Sequence, residues 1–478
     1  MSMRKSLIWS YGSQGANLFV GFLSSVAIAR MLDPHEFGVF AFAMAAMGFI
    51  GVFTSLNLGS YLVREEQLSR QQLSSLFTLN ACEIIIFCTA ILIASLVEWM
   101  AGAQREISIV LAISVVSPLI AIFEFIPASL YQREMDFATL SKVAVIRNVI
   151  TSIAAVCAVA YGLGAVGLAV GPAAGSLFSV TYFNIRRYQD TVFIPTRRGL
   201  RPAFVYGLQI MSISGVAQLA QRISDLSLGR ILGLSALGLY SRASNLAGMV
   251  FTSVYGQATS VVFVRMAQDL REHGSFHASF MASMRMITAA IWPMMIGIAI
   301  LSRPLIHSIY GGKWDAAAAP LSILMLAQFV ALGFGMNWEV FVLRHQTALQ
   351  TRFELIRAVC GVALFIGGCF FGIAGAAASR VAEALIGYFL YRPHMDRLVG
   401  TRAGEIETIF RESLGLTAVA VSPALLLMVL GGWSYQTPFA LVVTSVAAGI
   451  ALWLLAVRHR KHPLFAELLF VRNRLRTG

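Results

Sequence analysis

Residues 218–225 read QLAQRISD, and Gln218, Gln221, Arg222 and Asp225 recur there at spacings of three and four. On a helix those four side chains share one face, a wet stripe in an otherwise apolar run. Further polar groups sit inside apolar runs: Arg242 with Asn245, and Ser379, Arg380 and Glu383. Arg30 and Arg230 end two other runs. A guanidinium never loses its charge and grips carboxylate or phosphate oxygens two at a time, so the chemistry on offer is oxyanion binding. A competing use is built into the same spacing. Arg222 with Asp225, and Arg380 with Glu383, are i,i+3 pairs that could neutralise each other and fix helix packing. Arg242 has no acid three or four residues away and is the better candidate ligand.

The elements that must hold these groups follow from composition. Of 478 residues, 58% are hydrophobic and 12% charged, with a mean hydropathy of +0.74. That is more apolar surface than one soluble core buries, and apolar runs of about 20 residues recur along the chain, the length of a helix crossing a bilayer. The expected fold is an all-α polytopic membrane protein of about fourteen transmembrane helices. They fall near 7–29, 37–59, 76–97, 107–130, 143–161, 165–185, 203–229, 237–263, 281–302, 316–338, 353–372, 374–391, 414–431 and 437–457.

Most of the 36 basic residues fall on one side of such a bundle, if Arg147 and Arg357 are counted with the connections. Arg30, Arg105, Arg230, Arg303 and Lys313 are the connecting residues left on the other side. Cytoplasmic loops collect Lys and Arg, so both termini are expected in the cytoplasm. This bias and anionic inner-leaflet lipid account for the net charge of +13, so it is not read as nucleic-acid binding.

The chain also repeats itself. ARMLDPHEFGVFAFA at 29–43 is echoed by GRILGLSALGLYSRA at 229–243, Ile146-Arg147 by Ile356-Arg357, and Gly164 and Gly167 by Gly372 and Gly375. Helices 1–6 are thus repeated in parallel by helices 7–12, an arrangement of alternating-access carriers. The expected divisions are a first six-helix half (1–200, with its cytoplasmic linker), a second half (201–412), two C-terminal helices (413–457) and a basic tail (458–478).

The A-R-x-L-x-P-x-x-F-G pattern at Ala29–Gly38, the G-R-x-L-G-x-x-x-L-G-x-Y-S-x-A pattern at Gly229–Ala243 and the Y-Q-R-x-M-x-F segment at Tyr131–Phe137 resemble the polysaccharide flippases of the multidrug/oligosaccharidyl-lipid/polysaccharide (MOP) exporter superfamily. The resemblance implies a bacterial inner-membrane transporter. Such a protein moves undecaprenyl-diphosphate-linked oligosaccharide from the cytoplasmic to the periplasmic leaflet for surface polysaccharide such as O-antigen or exopolysaccharide. A lipid-linked peptidoglycan-precursor flippase and a drug/cation antiporter of the same superfamily are the alternatives. Under the flippase reading, Arg222, Arg242 and Arg380, with Arg30 and Arg230 at the rim, make a cationic cavity for the diphosphate. Gln218, Gln221, Asp225, Asn245 and Glu383 line it.

Toward the cytoplasmic side lie Asn80, Glu83, Glu124, Asn337 and Glu339. Glu83 and Glu124 could carry H+ or Na+ for coupling, or simply line a vestibule. Trp99, Trp314, Trp338 and Trp433 read as interface anchors. The five cysteines form no C-x-x-C pair and the eight histidines no H-E-x-x-H motif, so neither a metal nor a cofactor is expected. No connection exceeds about twenty residues, too little for a membrane glycosyltransferase or polymerase domain, so no enzymatic activity is expected; such enzymes are candidate partners instead. A monomer is the default, because the repeat supplies two halves within one chain.

Overall fold

A computed structural model describes residues 3–65, 68–102, 105–187 and 191–465, and the side chains of these except at 3–11, 209–214 and 253. Of the expected basic tail, residues 466–478 lie outside the described residues. Every described element is helical. The chain forms two compact units, Met1–Gly238 and Leu239–Gly478. The first contains α1 (Met3–Met31), α2 (Pro34–Thr54), α3 (Leu58–Arg64), α4 (Arg70–Ala101), α5 (Arg105–Ser114), α6 (Val116–Ala121), α7 (Phe125–Arg133), α8 (Phe137–Ala160), α9 (Gly164–Arg186) and α10 (Leu200–Leu232). Helix α11 (Leu234–His273) starts in the first unit and continues into the second. The second unit adds α12 (His277–Ile300), α13 (Ser302–Tyr310), α14 (Ala318–Ala331), α15 (Asn337–Leu343), α16 (Thr347–Cys369), α17 (Gly372–Val399), α18 (Glu405–Leu430) and α19 (Phe439–His459), with 3-10 turns at Gly312–Ala317 and Leu332–Phe334.

Each of the fourteen expected segments overlaps a helix, but 37–59 is interrupted at 55–57, 107–130 at 122–124 and 316–338 at 332–336. Among the described residues, ten helical segments are long and apolar enough to cross a membrane, eleven if the bent α5–α7 run is one span. Helix α16 falls outside that set because Arg352, Glu354 and Arg357 crowd its first half. Large apolar side chains such as Phe371, Phe389 and Leu430 lie exposed on the chain's surface, as lipid-facing residues do.

Between apolar helices in lipid, association depends on close van der Waals contact more than on expulsion of water. The α8–α9 hairpin shows how. Gly167, Gly171 and Gly175 form a ridge at every fourth residue of α9, and a β-carbon at each would collide with Ala158 and Val159, with Thr151 and Ala155, or with Thr151 and Arg147 of α8. The Ala/Gly richness of these two segments is what lets their backbones touch. In the first unit, Leu56, Leu62, Leu73, Leu76, Phe77 and Ile126 form a buried cluster. The connection after α9 is fastened onto it. Ser75 of α4 donates to the Arg198 carbonyl at 2.7 Å, the Thr196 N–H donates to Thr78 Oγ1 at 2.8 Å, and the Phe193 ring lies 5.4 Å from both Phe77 and Phe123.

One turn geometry recurs along the chain. Met135 and His345, 210 positions apart, both adopt left-handed φ, 58° and 56°. Around Met135 the N–H groups of 134, 135 and 136 donate to the carbonyls of 130, 132 and 131; around His345 those of 344, 345 and 346 donate to 340, 342 and 341. Likewise α2 begins at Pro34 and α11 at Leu234. The run before the Met135 turn is bent by 52° between α6 and α7. The run before the His345 turn breaks at Leu332–Phe334, followed by Met336 at φ 61°.

Candidate functional site

On α10, Arg222 runs against α2 at Gly48, where a β-carbon would overlap its guanidinium. The absence of a side chain on α2 is therefore what admits the cation there. Gln218 and Gln221 lie exposed on the same helix, and Gln221 Nε2 donates to Asp225 Oδ1 at 3.1 Å. Arg30 lies exposed at the end of α1. Arg230, at the end of α10, is ion-paired with Glu98 of α4 and sits 4.9 Å over the Phe42 ring of α2. Glu83 of α4 is half-buried and accepts a hydrogen bond from the Leu56 N–H. Asn80 is buried one turn away.

Glu124 stands in the break between α6 and α7, where the bend aims its carboxylate at two other helices. Arg147 Nη1 of α8 donates to Glu124 Oε1 and Oε2 at 3.0 and 3.2 Å, and Arg147 Nη2 donates to Ser176 Oγ of α9 at 3.1 Å. Ser179 Oγ donates to Glu124 Oε2 at 2.7 Å. Arg147 is thus not a loop residue, as the charge count treats it, but a cation within α8.

The same correction applies to Arg357, which lies within α16. It pairs with Glu354 one turn back, and its Nη1 donates to Glu383 Oε1 of α17 at 2.8 Å. Arg380 Nη1 donates to Glu383 Oε2 at 2.7 Å and lies 4.6 Å over the Phe365 ring, while Tyr391 Oη donates to Glu354 Oε2 at 3.0 Å. Two carboxylates and two guanidiniums thus balance within one network joining α16 to α17. Gly361 makes room for it, since a β-carbon there would strike the Glu383 carboxylate. The i,i+3 pairing of Arg380 with Glu383 is present, and the unforeseen Arg357 shares it. The sequence carried a signal for both missed arginines, the Ile-Arg echo.

Arg242 is buried, only 3% exposed, with its guanidinium 5.3 Å from the Tyr310 ring centroid and 5.1 Å from that of Trp314. Trp314 is fully buried in this contact and is no interface anchor; Trp99, Trp338 and Trp433 are exposed. Asn245 lies exposed one turn along α11. Asn337 Oδ1 accepts from the Trp338 N–H at 2.9 Å, and Glu339 is buried two residues on. An apolar groove of about 510 Å³ runs between α12, α18 and α19, lined by Pro293, Gly297, Ala420, Ala424, Gly449 and Trp453.

Bundled apolar helices that bury paired charges make up a multi-pass membrane protein. Known proteins sharpen that class. The family described as polysaccharide biosynthesis protein matches residues 27–319. The chain is 23% identical over 330 residues to the succinoglycan biosynthesis transport protein ExoT of Rhizobium meliloti, a match covering 68% of this chain and 66% of that one. It is 20% identical over 407 residues to the lipopolysaccharide biosynthesis protein WzxC of Escherichia coli, covering 82% of each. In fold it is similar to the lipid II flippase MurJ in its inward closed conformation, with a TM-score of 0.72 and 16% identity over 95% of this chain and 99% of that one. The chain belongs to the polysaccharide biosynthesis protein family.

Proposed function

We propose that this protein flips undecaprenyl-diphosphate-linked oligosaccharide repeat units from the cytoplasmic to the periplasmic leaflet of a bacterial inner membrane, by alternating access. The observation that carries the reading is Arg222, a fixed positive charge admitted onto a membrane helix by the Gly48 notch and flanked by exposed amides that suit sugar hydroxyls. A diphosphate leaving one headgroup layer for the other needs such a group, because an uncompensated charge in hydrocarbon is costly. Arg242, Arg380, Arg30 and Arg230 supply further positive charge in this reading, and Glu83 or Glu124 exchanges H+ or Na+. The apolar groove between α12, α18 and α19 suits the polyprenyl tail, which has no polar group to satisfy. Fourteen crossings, cytoplasmic termini, six-helix halves at 1–200 and 201–412, a monomeric state and cooperation with a polymerase and glycosyltransferases belong to the same proposal.

The test is reconstitution into vesicles with lipid-linked oligosaccharide carrying a fluorophore on its glycan, followed by an impermeant quencher. Protein-dependent quenching beyond the outer-leaflet half is expected, reduced strongly in Arg222→Ala. Absence of any protein-dependent quenching overturns the reading. The MurJ-like fold favours one second reading, a peptidoglycan precursor as cargo. Labelled lipid II run in parallel decides between them.

A further inference from the structure

We propose that Glu83 is the acid that exchanges a proton during transport, and that it acts on α10, the helix carrying Arg222, through Leu56. This rests on the flippase reading above and chooses between the two acids named there. The first ground is the company each acid keeps. Glu98 is taken by Arg230, and Glu124 by Arg147 and Ser179. A carboxylate in an ion pair must break that pair to take up a proton, leaving the guanidinium uncompensated. Glu83, half-buried on α4, has no cation beside it among the described residues. The charged groups on the helices packed around it are engaged elsewhere: Arg64 of α3 lies over the Tyr206 ring of α10, Arg222 of α10 lies at Gly48, and Glu106 of α5 lies near His35 of α2.

The second ground is what Glu83 does hold. Helix α2 ends at Thr54 and α3 begins at Leu58, with Asn57 between them at a left-handed φ of 47°. The Leu56 N–H in this break donates to Glu83. A backbone group freed from a helix inside an apolar run must find such a partner. Leu56 is also held from a second side. A β-carbon on Gly207 would strike both the side chain and the carbonyl oxygen of Leu56, so the α10 backbone lies directly against the break. Further along, α10 meets α2 again where Arg222 lies at Gly48. One residue thus joins the acid to the helix that carries the cation.

An ionised carboxylate binds an N–H more tightly than a neutral carboxyl does. Ionised, Glu83 clamps Leu56 and keeps the break seated against α10. A proton on the carboxyl weakens the clamp, and α10 is released to shift along α2 with Arg222. Asn80, three residues earlier and on the same face of α4, buries an Nδ2 with no acceptor, so a carboxyl that leaves Leu56 has a donor to turn to. The O–H bond formed from a proton on one side of the membrane is broken on the other, and no further reactant is needed.

The experiment uses the full chain in detergent. Deuterium uptake by the peptide spanning Leu56 is compared between wild type and Glu83→Gln at the same pH, so that the intrinsic pH dependence of exchange cancels. Glutamine keeps a carbonyl to accept the hydrogen bond but cannot ionise. In alkaline buffer the wild type should be protected about tenfold more, the difference between a charged and a neutral acceptor, and in acidic buffer the two should match. Should Glu83→Gln not fold, the wild type carries the test: relative to the α8–α9 hairpin, protection at Leu56 should fall on acidification. Protection that does not change with pH in this way overturns the proposal. In the vesicle assay above, an imposed proton gradient should speed wild-type flipping and leave Glu83→Gln unaffected. A wild type indifferent to the gradient, or a Glu83→Gln chain that still responds to it, overturns the coupling role while leaving the flippase reading intact. A wild type that flips no cargo under any gradient, while protection at Leu56 still titrates, overturns the flippase reading and leaves the clamp standing.

Discussion

Gly38 and Gly238 meet backbone to backbone: a β-carbon on Gly38 would overlap the Leu234 carbonyl, and one on Gly238 the Pro34 carbonyl. The contact is reciprocal across the 200-residue echo. Each residue lies on the first turn or so of its helix and faces the carbonyl at the start of the other.

Because no rotamer can relieve a clash with a carbonyl, Gly38→Ala and Gly238→Ala should each destabilise the protein by at least the ~1–3 kcal/mol of core overpacking. Thermal unfolding in detergent reads this, with Gly248→Ala, whose β-carbon would meet nothing, as the control. Unshifted melting in both glycine variants would show that the two helices separate readily.

Arg242 now carries a structural prediction. Enclosed by Tyr310 and Trp314, it should contribute about 2 kcal/mol through desolvated cation–π contact. Arg242→Ala should lower the melting temperature and membrane abundance together, and Tyr310→Leu should cost much less in that background than in the wild type. Normal stability with lost transport would favour the ligand role proposed for Arg242 over a packing role.

For the helix carrying Arg222 and Asp225, single and double alanine variants separate packing from binding. If Arg222 grips the diphosphate, the double variant accumulates in the membrane but does not flip substrate, since the rest of that stripe is neutral. A double variant that transports at the wild-type rate rules Arg222 out as a ligand.

In the turn between α7 and α8 two carboxyls sit below their ordinary values. Glu134 is lowered first by its hydrogen bond from Arg187, and Asp136 by that from Thr139. A lowered carboxyl stabilises the fold above its unfolded value, about 4, and that contribution is lost as pH falls through the lower folded value. Melting temperature should therefore drop on acidification below about pH 4. Asp136→Asn, which keeps a cap on α8 without the titrating group, should flatten part of the drop; half-exposed Glu134 should matter less. An identical acid limb in Asp136→Asn would count against it.

Topology is open to direct measurement. Reporter fusions after residue 200 and at the C-terminus should both report cytoplasm, and a periplasmic signal at either breaks the fourteen-crossing arrangement.

The apolar runs made the helices legible, and the echo at 29–43 and 229–243 located the equivalent starts of α2 and α11 because local backbone geometry repeats with local sequence. Glu124 and Glu383 stood out as acids in apolar runs. Arg147 and Arg357 did not, because a charge count assigns basic residues near the end of an apolar run to the adjoining loop, and only three-dimensional packing shows Arg147 turned back toward a carboxylate. Arg242 was legible as an embedded cation. Its aromatic neighbours were not, since Tyr310 and Trp314 lie about seventy positions further on, around a helix break.

The stretch from 193 to 199 that leads into α10 has a mechanical meaning. Held to α4 through Ser75 and Thr78, and with the Phe193 ring wedged against Phe77 and Phe123, it is a splint rather than a slack tether. Any displacement at the start of α10 must either drag α4 with it or pull the ring free. Strain applied at one helix is therefore delivered to the other instead of being absorbed in the connection.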